Sequence, residues 1–170
     1  MNNYSTIQNA ERSNKAHRLA IIVGIGIFLL VLISVYLFII LLPSRDDATR
    51  FSSLAQSEAG ITGVRAYKAS DRNGNYYSIY GDNSKGKEYL VIFNSKEKLV
   101  RRIPVSQQVS NSRLDQIYKK YRVHNVYSFA PSIYKKRPVL ELSYEGQNQS
   151  LNYLTIDLKS GKVYRVIEGL

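Results

Sequence analysis

Residues 89–103 read YLVIFNSKEKLVRRI, and residues 153–167 read YLTIDLKSGKVYRVI. Aligned without gaps at an offset of 64, six of the 15 positions are identical: Tyr89/Tyr153, Leu90/Leu154, Ile92/Ile156, Lys98/Lys162, Arg101/Arg165 and Ile103/Ile167. Leu99/Val163 is conservative, and the same offset pairs Tyr80 with Tyr144. A fixed-period match of this kind marks a copied supersecondary unit. Each copy reads as a strand, a turn with Lys and Ser, and a second strand.

The repeat organises the chain on either side of it. Upstream, Ser44 caps a predicted helix whose first turn carries Asp46 and Asp47. Ala48, Phe51, Leu54 and Ala55 form its apolar stripe, and Gly60 stops it. Strands follow at 64–70, 76–81, 87–93 and 99–103, with turn chemistry at 71–75 and 82–86. Downstream, Ser110 caps a second helix, and Leu114, Ile117, Tyr118 and Tyr121 lie on one face of it. Strands follow at 125–134, 139–144, 151–158 and 162–167, with turns at 135–138, 145–149 and 159–162. Leu140, Leu142 and Tyr144 share one strand face, as do Leu154, Ile156 and Leu158, and these faces meet the helix. The predicted class is α+β: two tandem units, 43–104 and 105–170, each one helix laid on a curled antiparallel sheet. About 64 residues make a marginal fold alone, so the two units are expected to pack against each other.

Before them stands Leu19–Leu42, 24 uncharged residues reading LAIIVGIGIFLLVLISVYLFIILL. As a helix this run covers ~36 Å against a hydrocarbon core of ~30 Å. It exceeds the ~7–15-residue core of a cleavable signal peptide and has no small-x-small cleavage site. An uncleaved membrane helix is predicted, with Pro43 as its stop. Arg12, Lys15 and Arg18 precede it, and only Arg45 and Arg50 follow within a similar distance. That bias places residues 1–18 in the cytoplasm, as a disordered tail, and residues 43–170 outside. With no Cys, the chain holds neither disulfides nor thiolate metal sites.

In the second half, ValSer at 109–110, ProValLeuGluLeuSerTyr at 138–144 and TyrLeuThrIleAspLeuLysSerGlyLys at 153–162 resemble the TseB-like family of cell-wall elongation regulators of Gram-positive bacteria. The resemblance covers the span and both repeats. It implies a single-span membrane protein with two tandem PepSY-like or cystatin-like domains. It implies no catalysis, and a partner among the penicillin-binding proteins of the elongation machinery. The family has Trp after Pro-Val where this chain has Leu140, which keeps a core role and removes any argument for an indole binding site.

The residues offer little chemistry of their own. His17 and His124 are isolated, so no metal or cofactor is expected. S-x-x-K occurs at Ser84/Lys87, Ser95/Lys98 and Ser132/Lys135, in turns or at strand ends and without companion motifs. Strand parity turns Glu141 away from Leu140 and Leu142, and a structural role outweighs a catalytic one. Asp157 likewise turns away from Ile156 and Leu158.

Charge is the remaining signal. Residues 43–170 hold 21 Lys+Arg against 12 Asp+Glu, with 12 of the 14 Tyr. On the outer face of a membrane the relevant polyanions are teichoic acid and anionic headgroups, not nucleic acid. Arg101, Arg102, Lys135, Lys136 and Arg137 are the candidate surface for a polyanion or a partner. A non-catalytic contact protein, a polyanion-binding module and a PepSY-type peptidase inhibitor or chaperone all stay open. The bland alternative is a solvated basic surface with Tyr in sheet faces.

Overall fold

The computed structural model describes the backbone of residues 3–169 and the side chains of residues 21–38, 46–147 and 149–169. The chain divides into two compact units, Met1–Asp46 and Asp47–Leu170.

Helix α1 is Asn3–Ala59. Two expectations are corrected here. Residues 3–18 are helical rather than disordered, and Pro43 and Ser44 lie within the helix instead of ending it and capping the next. Once a long apolar run has nucleated a helix, each further residue adds at small cost, so polar flanks extend it. Pro43 forfeits one backbone bond, but its fixed φ is helical. Within the first unit Ile21–Phe38 is long and apolar enough to cross a membrane, and its large apolar side chains are exposed. That is compatible with a single-pass anchor. The side chains of Arg12, Lys15, His17, Arg18 and Arg45, and the ends of Leu19–Leu42, lie outside the described residues.

In the second unit α1 presents Phe51, Ala55 and Ala59 to one face of a four-stranded sheet. The strands are β1 (Gly63–Ser70), β2 (Tyr76–Asp82), β3 (Glu88–Asn94) and β4 (Leu99–Pro104). They run antiparallel in chain order. Phe51 stacks on Tyr77 with centroids 4.0 Å apart and packs with Ile79, Val91 and Phe93. Gly60, at φ +64°, ends the helix in the left-handed region that a side chain disfavours. A 3-10 turn, Val105–Gln107, leads to α2 (Asn111–Lys120), and the Ser110 hydroxyl accepts from the Arg113 N–H as its cap. A second sheet has the same order: β5 (Asn125–Tyr134), β6 (Arg137–Glu145), β7 (Leu151–Asp157) and β8 (Val163–Ile167). Ile117 of α2 lies in one core with Leu140, Leu142, Tyr144, Leu154, Ile156 and Leu158, as the strand parity requires.

Leu90 and Ile92, on the first sheet's face away from α1, join that same core. Both sheets therefore share one apolar cluster within a single compact unit.

The pairing registers correct the gapless repeat. In β4 and β8 the offset of 64 holds, with Arg101 opposite Ile92 and Arg165 opposite Thr155. Ile92 therefore corresponds in space to Thr155, at an offset of 63, and Val91 and Phe93 correspond to Leu154 and Ile156. The extra residue sits in the turn: Asn94 N–H bonds the Lys98 carbonyl, whereas Asp157 N–H bonds that of Lys162, one residue further on. The identities Leu90/Leu154 and Ile92/Ile156 thus link residues on opposite faces relative to their helices. The same shift separates Tyr80 from Tyr144. Each sheet also has a bulge near the start of its first strand, at Arg65 between Val64 and Ala66, and at Tyr127 between Val126 and Ser128.

Candidate functional site

Alternation along β4 divides the two adjacent arginines. Arg102 stands opposite Val91, on the α1 face, and its guanidinium lies 3.9 Å from the Tyr89 ring centroid. Arg101 stands opposite Ile92, on the other face. There its Nη2 donates to the Lys136 carbonyl at 3.1 Å, and its Nη1 to that of Val100 at 2.8 Å.

Lys136 belongs to the β5–β6 hairpin. Tyr134 pairs with Arg137, so the turn is the two residues Lys135 and Lys136, shorter than the expected 135–138; Arg137 and Pro138 already belong to β6. Both turn residues have positive φ, 48° and 66°, the backbone a two-residue hairpin needs to match strand twist. Lys135 Nζ lies 5.3 Å from the Tyr134 ring, and Tyr134 sits 6.2 Å from Tyr164. The Tyr164 hydroxyl donates to Asp157 at 2.8 Å. That bond, with burial, raises the Tyr164 pKa above 10.0, while the Arg137 guanidinium opposes the rise.

Arg101, Lys135, Lys136 and Arg137 are thus one exposed group drawn from both sheets, and Arg102 is not part of it. Among the described residues, none of the five forms a salt bridge with a carboxylate; Arg50 and Arg65 do, with Asp47 and Glu97 and with Asp82 and Glu88. A cationic group without internal counter-charges can take an anion without first breaking ion pairs.

The acidic residues have structural settings. Glu141, 4% exposed, accepts from the Ser70 hydroxyl and from Asn73 Nδ2, both in the first half of the chain. Arg72 lies 3.8 Å over the Tyr153 ring, so the β1–β2 turn covers the second sheet's face away from α2. Glu141 also lines a cavity of about 460 Å³ with Ser70, Asp71, Arg72, Ser128 and Phe129. Asp157 holds the β7–β8 turn, accepting from the N–H groups of Lys159 and Ser160 and from the hydroxyls of Ser160 and Tyr164. Burial pushes its carboxyl up, but these hydrogen bonds outweigh that and hold it below 3.8. His124 donates its backbone N–H to the Glu145 carbonyl. No group of three metal-ligating side chains occurs among the described residues. Of the S-x-x-K serines, Ser84 and Ser95 are in exposed turns and Ser132 is buried in β5.

Two features had no distinctive sequence signal. Val126, Tyr127 and Phe129 are 43%, 57% and 43% exposed on the outer strand β5, although their apolar character reads as core. Beside Phe129, a second cavity of about 550 Å³ is lined by Tyr80, Val105, Leu114, Tyr118 and Leu140. Burial, with a contribution from Glu88, pushes the Tyr80 hydroxyl up to about 12.

No family model and no curated protein matches the chain. A solved structure, the YpmB protein from Bacillus subtilis, is similar in fold: TM-score 0.61 at 16% identity, over 71% of this chain and 95% of that one. At that identity the likeness concerns the fold alone.

Proposed function

We propose that the chain is a TseB-like accessory protein. In this reading it is non-catalytic, built from two tandem cystatin-like or PepSY-like units and anchored through the helix at Leu19–Leu42 with its N-terminus in the cytoplasm. Residues 43–170 contact a penicillin-binding protein of the elongation machinery outside the cell membrane. The reading is supported above all by the similarity in fold to YpmB, over 71% of this chain and 95% of that one, and by the apolar, exposed helix that this chain carries. Crosslinking the full-length protein in its own membranes and identifying captured proteins by mass spectrometry tests it. A penicillin-binding protein is expected. No such capture, together with normal cell length and width on deletion, would refute it.

A second reading draws on one specific observation. The Arg101–Lys136 hydrogen bond supports a polyanion-binding surface made of Arg101, Lys135, Lys136 and Arg137, suited to teichoic acid or anionic headgroups. Its affinity must fall as salt rises, since the Debye length is ~10 Å at 0.1 M and only ~3 Å at 1 M. Salt-independent binding would sink this second reading.

A further inference from the structure

The turn before the last strand of each sheet meets the covering helix, and the two turns differ in charge. In the first sheet Glu97 has φ +61° and its carboxylate lies 3.4 Å from Arg50 of α1, which also pairs with Asp47 at 2.8 Å. Arg50 thus finds its counter-charges inside the fold. Glu97 precedes Lys98 and donates its N–H to the Asn94 carbonyl. Gly161 holds the same place in the second sheet: it precedes Lys162, has φ +70° and donates its N–H to the Asp157 carbonyl. No side chain fits there. A Cβ would stand 2.9 Å from both Arg113 Cγ and Val109 Cγ2, so the turn presses on the start of α2 and carries no acid at that position.

The result is a cationic cleft of about 320 Å³ between α2 and the β7–β8 turn. Arg113, Lys120 and Lys162 line it and are exposed, while buried Ile117 and half-buried Val163 supply an apolar floor. Among the described residues none of the three cations forms a salt bridge. Arg113 Nη1 donates instead to the neutral Gln116 Oε1 at 3.0 Å. The acids on the neighbouring elements lie outside the lining. Asp115 lines a different cavity with Tyr118 and Lys119, and Glu168 lines the one beyond Lys120. Asp157 is held by the N–H groups of Lys159 and Ser160 and by the hydroxyls of Ser160 and Tyr164.

We propose that this cleft binds an acidic segment of a partner protein. Its Asp or Glu carboxylates pair with Arg113, Lys120 and Lys162, and an adjacent apolar side chain rests on Ile117 and Val163. The partner thereby supplies the carboxylate that Glu97 supplies in the first sheet. These charge-assisted bonds form without breaking an internal ion pair. The apolar floor inside a charged rim favours a peptide over a phosphate polymer, which has no apolar group to place on it. The proposal rests on reading the chain as a protein-contact module.

The probe is a displayed random octapeptide library selected against the full chain in nanodiscs of zwitterionic lipid. Selected peptides should be enriched in Asp and Glu beside an apolar residue, and their Asn and Gln versions should bind severalfold more weakly. Gln116→Glu places a carboxylate beside Arg113, as Glu97 stands beside Arg50. It should weaken binding about three- to fivefold, the scale of one exposed ion pair, and so should Lys162→Gln. Arg101→Gln, outside the lining, should leave the affinity unchanged. All three positions are exposed, so the circular dichroism spectra should match the wild type. Failure to select any peptide, selection without acidic residues, or full affinity after the apolar residue is changed to Ser would each overturn the proposal. So would unchanged binding in both Gln116→Glu and Lys162→Gln, or an equal loss in Arg101→Gln. Acidic peptides in this cleft without capture of a penicillin-binding protein would sink that partner and keep the cleft. Capture of that protein undiminished in Gln116→Glu and Lys162→Gln would do the reverse.

Discussion

The guanidinium of Arg101 on β4 donates to the backbone carbonyl of Lys136, 3.1 Å away in the turn between β5 and β6. One hydrogen bond thus ties the outer strand of the first sheet to a hairpin of the second, 35 residues further along the chain. It gathers cations that are dispersed in the sequence.

Substitution along β4 tests that gathering. Arg101→Gln should weaken binding to a polyphosphate probe severalfold at low salt, whereas Arg102→Gln, on the opposite face over Tyr89, should change it little. Equal losses from the two variants, measured by titration calorimetry, would contradict the geometry. Stability should move by less than ~1 kcal/mol in either variant, because both side chains are exposed.

Glu141 is the buried link between the halves. Glu141→Ala strands the Ser70 and Asn73 donors and should cost about 1–3 kcal/mol, while Glu141→Gln keeps one acceptor oxygen and should cost less. Urea unfolding followed by the near-UV signal of the tyrosines gives the comparison, since the chain has no Trp. Equal costs would contradict the assigned partners.

Backbone geometry makes a sharper contrast. A Cβ at Gly81 would clash with the Gly63 carbonyl oxygen and with Ile61 Cγ2, whereas one at Gly60 meets nothing within 4 Å and only its φ of +64° resists. Gly81→Ala should therefore lower the unfolding free energy more than Gly60→Ala, whose cost is about 1 kcal/mol. Phe51→Ala, which empties the contact with Tyr77 and Phe93, should cost about 3–5 kcal/mol.

The pH dependence has two limbs. Asp157 is depressed below 3.8 in the folded state, so its contribution is present above that value and fades as the pH falls through the depressed one. The Tm difference between wild type and Asp157→Asn should shrink at acid pH. Tyr80 and Tyr67 are each raised to about 12, chiefly by burial, so the stability they support is present below pH 10 and fades as the pH rises towards 12. Spectrophotometric titration should find late-ionising tyrosines; complete ionisation near 10 with the fold retained would contradict their burial.

Periodicity made most of the strands legible, because a sheet with one buried face imposes alternation. It failed wherever neighbouring parts decide. Ser44 and Pro43 carry local signals for a cap and a stop, yet helix propagation carries the backbone through both. The repeat matched residues by identity across a turn that is one residue longer in its second copy, which moves Leu154 and Ile156 to the face opposite that of Leu90 and Ile92. The basic site was half legible. Charge runs named the five cations, but only the pairing of β4 with β3 separates Arg101 from Arg102. The exposed Val126, Tyr127 and Phe129 could not be read at all, because an edge strand and a core strand share the same apolar pattern.

The central claim, contact with a wall-synthesis enzyme outside the membrane, is tested most directly by a photocrosslinking amino acid placed in the living cell at Tyr127, at Lys136 and, as a control, at Arg102. A penicillin-binding protein is expected as the principal adduct from Tyr127 or Lys136, with little from Arg102. Adducts with no penicillin-binding protein at any of the three positions would contradict it.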